Sequence, residues 1–551
     1  MIQIQETTRT LPYYRPVPLT RLPLIYHREH LFPYASYGDT ASEPVARPFR
    51  MVALENEHLR VTVAPELGGR VYSLFDKRIG QEILFSNPVV KPVRILPIWG
   101  FISGGIEFNF PIAHSPTSIA TVGCATGQTE DYGFIRVGER EARTGLEWVV
   151  EIGLAAGQPI LIQRTRLRNR TRLDHPWMMW TICALRSTEC TEFVHPPHRV
   201  LVHDHRVVEA DWPGEGLNWD RNVHQMTAYF WKPGGSPLFG AFHHNLGLGL
   251  MHLAESGQLP GKKLWTYGYG KHRTWGQATT AGGQSYVEIE SGPLQDQSEK
   301  PLFPSGAERA YEEYWIPVHL RAACDSVEWP RLNLPPMTDP WLGWGHSPWQ
   351  RDWEQFSAGA GPLPQSTVPP GLELENALRA DLDRGNSDAA EPLALWLASR
   401  GRPQEALPLV ADRPRPETRR VAGLILWKGL HDPQGALPHL EAGPLDDPVA
   451  VAELDELYAA LGQADRRAPL LARAPDHRWV TERRAHLALT SGNPAETLRL
   501  LTRNDWPREH QRYVRSELWR QAKAALGEPE AVPPDFLNED NLATFGAYWA
   551  D

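Results

Sequence analysis

The chain has 551 residues, more than one ordinary hydrophobic core organises, so two or more domains are expected. Its formal charge of -10 is spread without a long single-sign block, which speaks against the basic stripe of a nucleic-acid binder. Cys124, Cys183, Cys190 and Cys324 fall into no CxxC or zinc-finger spacing, the start MIQIQETTRTLPYYRP lacks a secretory pattern, and no apolar run approaches the ~18 residues of a membrane helix. A soluble cytoplasmic protein with no metal or other cofactor is the expectation.

Residues 1–48 are rich in Pro and Tyr with little periodicity and read as an extended arm laid across a domain. From Met51 the pattern changes to short alternating runs bounded by Gly, Pro, Asn or Asp, continuing to about Leu320, so 49–325 is expected to be an all-β antiparallel sandwich. The stretch 326–371 is too dense in proline for either period and reads as a linker, its Trp-rich first part packed on the sandwich. Beyond Leu372 the composition turns to Ala, Leu, Arg and Glu with a 3.6 period. Four pieces recur there, with turn glycines Gly401, Gly429, Gly462 and Gly492 spaced 28, 33 and 30 apart, so 372–551 reads as a tetratricopeptide-like helical solenoid. The solenoid has few placed carboxylates, and chemistry is therefore expected in the sandwich.

The stretch SGGIEFNFPIAH, Ser103 to His114, carries the first candidate site. Two glycines permit a sharp turn, and a strand then presents Glu107 and Asn109 on one face. With Trp99 and His114 nearby, the set suits a sugar: carboxylate and amide for hydroxyls, indole for the apolar ring face. The alternative is a bulged strand whose Glu107 points into solvent. GKKLWTYGYGKHRTW, from Gly261, crowds Lys263, Trp265 and Trp275 together, which suits stacking and hydroxyl recognition. In SYVEIESGPLQDQ, Tyr286, Glu288 and Glu290 share a strand face and Gln297 follows the turn. Like charges so close raise a carboxyl pKa towards general-acid use. In YEEYWIPV, Glu312 and Glu313 face opposite ways ahead of Trp315, so at most one enters a cleft. His195, His198, His203 and His205 cluster in sequence without the spacing of a zinc motif.

Taken in order, the blocks SGGIEFNFPIAH, LRNRTRLDHPWMMWT, GKKLWTYGYG, SYVEIESGPLQDQ and YEEYWIPV resemble a bacterial domain family of unknown function. That family is related to the aldose 1-epimerase (galactose mutarotase-like) superfamily and often precedes tetratricopeptide repeats. The resemblance implies a galactose mutarotase-like β-supersandwich followed by the helical solenoid. It departs from the hexose-phosphate mutarotases where acid and base would stand. Ser103 occupies the arginine position, Tyr132 the first histidine position, and Trp180 with Thr181 the region of the second. The leading expectation is a glycoside hydrolase acting on a mono- or oligosaccharide, with Glu107 and Glu288 as acid and base or nucleophile and Glu290 and Glu313 as substitutes. Trp99, Trp265, Trp275 and Trp315 would line subsites; Asn109, His114, Lys263 and Gln297 would contact the sugar. An epimerase-like isomerase using Tyr132 and a glutamate is the alternative, and a sugar sensor without catalysis the third. The repeats would bind a protein or mediate self-association; no nucleic acid or membrane is expected.

Overall fold

The computed structural model describes residues 2–537 and 539 except 19–25, 27–36, 97–98, 113, 115–116, 142–143, 205–206, 272, 300, 338–347, 366–367, 369–373, 504–505 and 507–513. Two antiparallel sheets lie face to face. The larger has twelve strands, in the spatial order Gln3–Tyr13, Val45–Glu55, Leu59–Ala64, Arg70–Asp76, Ile106–Asn109, Trp180–Arg186, Tyr286–Gly292, Gly261–Thr266, Thr227–Trp231, His198–His203 and Val207–Trp212, with Gln81–Glu82 beside the fourth. The smaller has eight: Gly123–Gln128, Tyr132–Arg140, Glu147–Ala155, Leu161–Arg168, Glu308–Val318, Leu248–Ala254, Leu238–His243 and Thr191–Val194.

Side chains alternate across a strand, so each strand of the larger sheet has an inward and an outward set. Ile106, Phe108, Cys183, Leu185, Val287 and Ile289 turn inward, where Trp148, Val150, Ile152, Tyr311 and Trp315 of the smaller sheet meet them in one apolar core. Glu107, Asn109, Glu288 and Glu290 are consequently on the outer face of the larger sheet. Among the described residues no helix is long and apolar enough to cross a membrane.

The first residues, expected as an extended arm laid across the sandwich, begin as one of its strands. Gln3–Tyr13 pairs along its whole length with Val45–Glu55 as the outermost strand of the larger sheet. Pro16–Pro18 and Tyr37–Thr40 then form a small ribbon, and between them Tyr26 packs against the helical half. Val327, Leu332 and Leu334 of the expected linker cover the outer face of the smaller sheet beside Tyr132, Ile162 and Tyr314. Arg164 fixes this segment by donating from Nη1 to the Pro335 carbonyl, 2.7 Å away.

The helical half is built of hairpins, the first helix running over Ala390–Ser399, Pro416–Leu424, Pro448–Ala460 and Arg478–Thr490 in turn. Their partners are Pro403–Val410, Pro433–Glu441, Ala464–Arg473 and Pro494–Leu501. Proline at the start of three of the partners suits a first turn whose N–H groups need no intrahelical acceptor. Gly401, Gly462 and Gly492 turn between helices with positive φ, as expected. Gly429 does not: it ends a π-helical turn over Ile425–Gly429, and the left-handed position falls to His431, φ 57°. The left-handed residues thus stand at 401, 431, 462 and 492, spaced 30, 31 and 30, more regularly than the glycines. Gly429 is needed for a different reason, since a Cβ there would meet Pro403 Cβ at 2.9 Å and the Tyr26 hydroxyl at 3.0 Å.

Candidate functional site

Arg70 organises the first wall of the site. It starts the strand Arg70–Asp76 with Val71 turned into the core, so its own side chain rises on the outer face. Its Nη1 donates to the carbonyls of Ile102 (2.8 Å) and Gly104 (2.6 Å), clamping the loop that leads into Glu107. That loop is possible only with glycine. Gly104 and Gly105 have φ of 100° and 75°, and a Cβ on Gly105 would fall 2.1 Å from the Val71 carbonyl oxygen. Asn87 ties the loop sideways: its Nδ2 donates to Ser103 Oγ at 2.9 Å and to the Thr279 carbonyl at 2.8 Å. Thr279 ends the helix Arg273–Thr279, so loop and helix are locked together.

Register then sets the spacing of the carboxylates. Glu107 stands opposite Ile182 of the strand Trp180–Arg186, and Ile182 stands opposite Glu290 on the other side. Glu288 is opposite Ala184 of the same strand and opposite Trp265, while Glu290 is opposite Lys263. Trp180 lies beside Asn109, and Gly261 and Gly292 leave room for its ring: a Cβ on either would come within 3.0 Å of it. Glu107, Asn109, Glu288, Glu290, Lys263, Trp265 and Trp180 therefore rise from one sheet face with Arg70. His114 joins them, its Nδ1 2.9 Å from Glu107 Oε2 and its ring 4.6 Å from that of Phe101. The three carboxylates are deep, with exposures of 4% for Glu107, 5% for Glu288 and 0% for Glu290.

Their environments push them apart electrically. Burial opposes ionisation of Glu107, yet His114 by charge and hydrogen bond, then Arg70 and Asn109, outweigh it and hold its carboxyl below the usual range. Glu288 moves the other way: burial first, then the neighbouring charge of Glu290, lifts it well above the usual range. Burial also raises Glu290, against the pull of Lys263 2.8 Å away. Of the three carboxyl groups on this face, Glu107 is thus biased towards its ionised form and Glu288 most strongly towards its protonated one. Several of these atoms have no hydrogen-bond partner among the described residues: Glu107 Oε1, Glu290 Oε2 and Arg70 Nη2.

Five expected site residues are elsewhere or serve otherwise. Tyr132 lies on the outer face of the smaller sheet, where its hydroxyl donates to Glu151 at 2.8 Å. Glu313 and Trp315 turn into the core between the sheets, and Glu312 turns outward, so neither of that glutamate pair reaches the cleft. Glu313 accepts from Thr181 Oγ1 (3.0 Å) and Gln163, with His252 Nε2 at 2.8 Å, while Trp315 donates to Gln163 at 3.0 Å. Trp275 does border the site but offers no free ring. Phe101 stacks on it at 5.7 Å and Tyr267 at 6.3 Å, and its N–H donates to the Tyr286 hydroxyl. It fixes the helix to the strand that bears Glu288. Trp265 is buried against Tyr267, Trp275 and Tyr286, so it contributes wall more than platform.

Gln297 is buried in the turn after Tyr286–Gly292. Trp99 begins the short strand Trp99–Phe101, and its side chain lies outside the described residues, as does His205. His195 and His198 are taken up by the carbonyls of Pro196 and Lys232. Among the described residues no group of three His, Cys, Asp or Glu side chains converges as a metal site. Sequence reasoning missed Arg70, Asn87, Phe101 and the wall role of Trp180. The signal for Arg70 was an arginine directly after Gly68-Gly69, opening a strand whose next residue is core.

Comparison with known proteins follows the same division. A family model described as "Domain of unknown function (DUF5107)" matches residues 27–318, and a second, described as a C-terminal domain, matches 364–522. A solved structure of a TPR-domain containing protein from Parabacteroides distasonis is similar over 99% of both chains, with 30% identity and a TM-score of 0.90. A galactose mutarotase-like protein from Lactobacillus casei matches 48% of this chain and 99% of its own at 11% identity and TM-score 0.37. One from Clostridium acetobutylicum matches 58% and 99% at 12% identity and TM-score 0.37.

Proposed function

Starting from a chain that belongs to the DUF5107 family, we propose that the outer-face site performs acid–base chemistry at the anomeric carbon of a sugar, as a glycoside hydrolase. The observation that carries this reading is the opposite displacement of two carboxyl groups on one sheet face, Glu107 shifted below the usual carboxyl range and Glu288 well above it. Groups separated in this way divide naturally into base and acid. Glu288 would donate its proton to the glycosidic oxygen as the bond to the anomeric carbon breaks. Glu107 would take a proton from the attacking water, with His114 and Arg70 keeping it ionised. Glu290, paired to Lys263, would hold hydroxyls and keep Glu288 protonated by its charge.

The Glu107 and Glu288 strands flank Trp180–Arg186, and the two residues are offset by two positions along it, so their Cα atoms are about 12 Å apart and the carboxyl groups approach only through their side chains. A retaining pair needs carboxyl groups about 5–5.5 Å apart, an inverting pair about 6.5–9.5 Å, and the anomer of the first product distinguishes the two.

The test is a turnover screen of the purified protein on aryl glycosides and natural oligosaccharides, beside Glu107→Gln and Glu288→Gln. Sugar release by the wild type, lowered by roughly 10²–10⁴ in either variant, is the expected result. Nuclear magnetic resonance of the first product reads whether the anomer is inverted or retained. Anomer exchange without release would transfer the same two residues to an epimerase reaction, and sugar binding untouched by both substitutions would leave a sensor. The helical hairpins are assigned to a protein partner or self-association, which sedimentation of the full chain would report.

A further inference from the structure

Beside Trp180 Nε1, the site's atoms without a hydrogen-bond partner among the described residues belong to two pairs of opposite charge. Arg70 Nη2 stands 3.6 Å from Glu107 Oε1, and neither takes part in a hydrogen bond among the described residues. Arg70 uses its other nitrogens on the carbonyls of Leu67, Ile102 and Gly104, so only Nη2 looks into the site. Lys263 Nζ stands 2.8 Å from Glu290 Oε1 as an ion pair, and Glu290 Oε2 has no hydrogen-bond partner among the described residues. In both pairs opposite charges attract while hydrogen-bonding capacity is left over on each side. Leaving such capacity unused in a buried place is costly, so the matching ligand group is one that supplies both halves.

Chemistry narrows that group. A neutral hydroxyl accepts from the cation and donates to the carboxylate through a single oxygen. A phosphate or carboxylate only accepts; it would satisfy Arg70 or Lys263 while being repelled by Glu107 or Glu290. An ammonium only donates, and meets the reverse conflict. Resting on the carbohydrate reading above, we propose that this pocket selects uncharged polyhydroxy sugars, each donor–acceptor pair seating one hydroxyl, and rejects sugar phosphates, uronic acids and amino sugars. Rejection comes from a charge facing each ligand position with the wrong sign, not from shape.

Calorimetric titration of the full chain with glucose, galactose and mannose, each beside its 6-phosphate, uronate and 2-amino counterpart at matched ionic strength, tests it. At least one neutral sugar should bind roughly tenfold to a hundredfold more tightly than each of its charged counterparts. A charged member binding as tightly as its neutral parent would overturn the inference while leaving the carbohydrate reading intact. Binding by no sugar in any series would instead remove that reading and the inference with it. Glu290→Gln is the second arm, its fold checked by circular dichroism. With Lys263 no longer opposed, 6-phosphates should gain on their neutral parents, and unchanged rejection would overturn the assignment to this pair.

Discussion

Glu288 is harder to ionise because of where it stands, and that has consequences at two pH ranges. Burial, then the charge of Glu290, raises it well above its usual 4.5. A raised folded-state pKa gives stability that is complete below about pH 4.5 and is lost as pH rises towards the folded value. Glu288→Gln should therefore melt higher than wild type at neutral pH, with the difference fading below pH 4.5; scanning calorimetry across pH reads this directly. For activity, kcat/KM should fall at low pH as Glu107 protonates and at high pH as Glu288 loses its proton. Glu290→Gln removes a charge that raises Glu288, so the alkaline limb should move to lower pH. Backbone matters as much as charge at this scale. Gly105→Ala would drive a Cβ to 2.1 Å from the Val71 carbonyl at a φ of 75°, and we expect a loss of about 3 kcal/mol or more in urea unfolding, with turnover lost because Glu107 is displaced.

The strand Trp180–Arg186 shows what one element does on its two faces. Outward, Ile182 and Ala184 keep Glu107 apart from Glu290 and Glu288. Inward, Thr181 donates to Glu313 and accepts from Gln163. Thr181→Val should cost about 1–3 kcal/mol in denaturant unfolding, because Glu313 loses a donor in a dry core. Alternation made the shared face of Tyr286, Glu288 and Glu290 readable in the sequence, and the glycine pair before Glu107 made its turn readable. It could not say which face was the interior. The strand Glu147–Ala155 is buried at all nine positions, so polarity carries no sign of side there, and Glu313 and Trp315 read as cleft residues for the same reason. Tyr132 failed differently, since an alignment by motif transfers a position without its sheet. In the hairpins, glycine marked three of four turns; at the other the left-handed residue is His431. His431→Gly should stabilise that hairpin by about 1 kcal/mol, read as a higher unfolding midpoint.

The sandwich and the helical half share contacts that make them one folding problem. Val449, at the start of the helix Pro448–Ala460, belongs to the sandwich's own apolar core cluster, and Trp479 packs against it. From the other direction Tyr26 enters the helical core beside Gly429, and burial pushes its phenol up to about 12. Calorimetry of the full chain should give one cooperative transition, and two well-separated ones would contradict the coupling. Gly429→Leu should lower that transition by displacing Tyr26, whereas Gly401→Leu, at an open turn, should act on its hairpin alone. The Tyr26 contact also bears on biosynthesis. Tyr26 leaves the ribosome roughly four hundred residues ahead of Gly429, and domains fold as units during translation. The segment that carries Tyr26 therefore waits for the last third of the sequence before its aromatic ring has anywhere to dock.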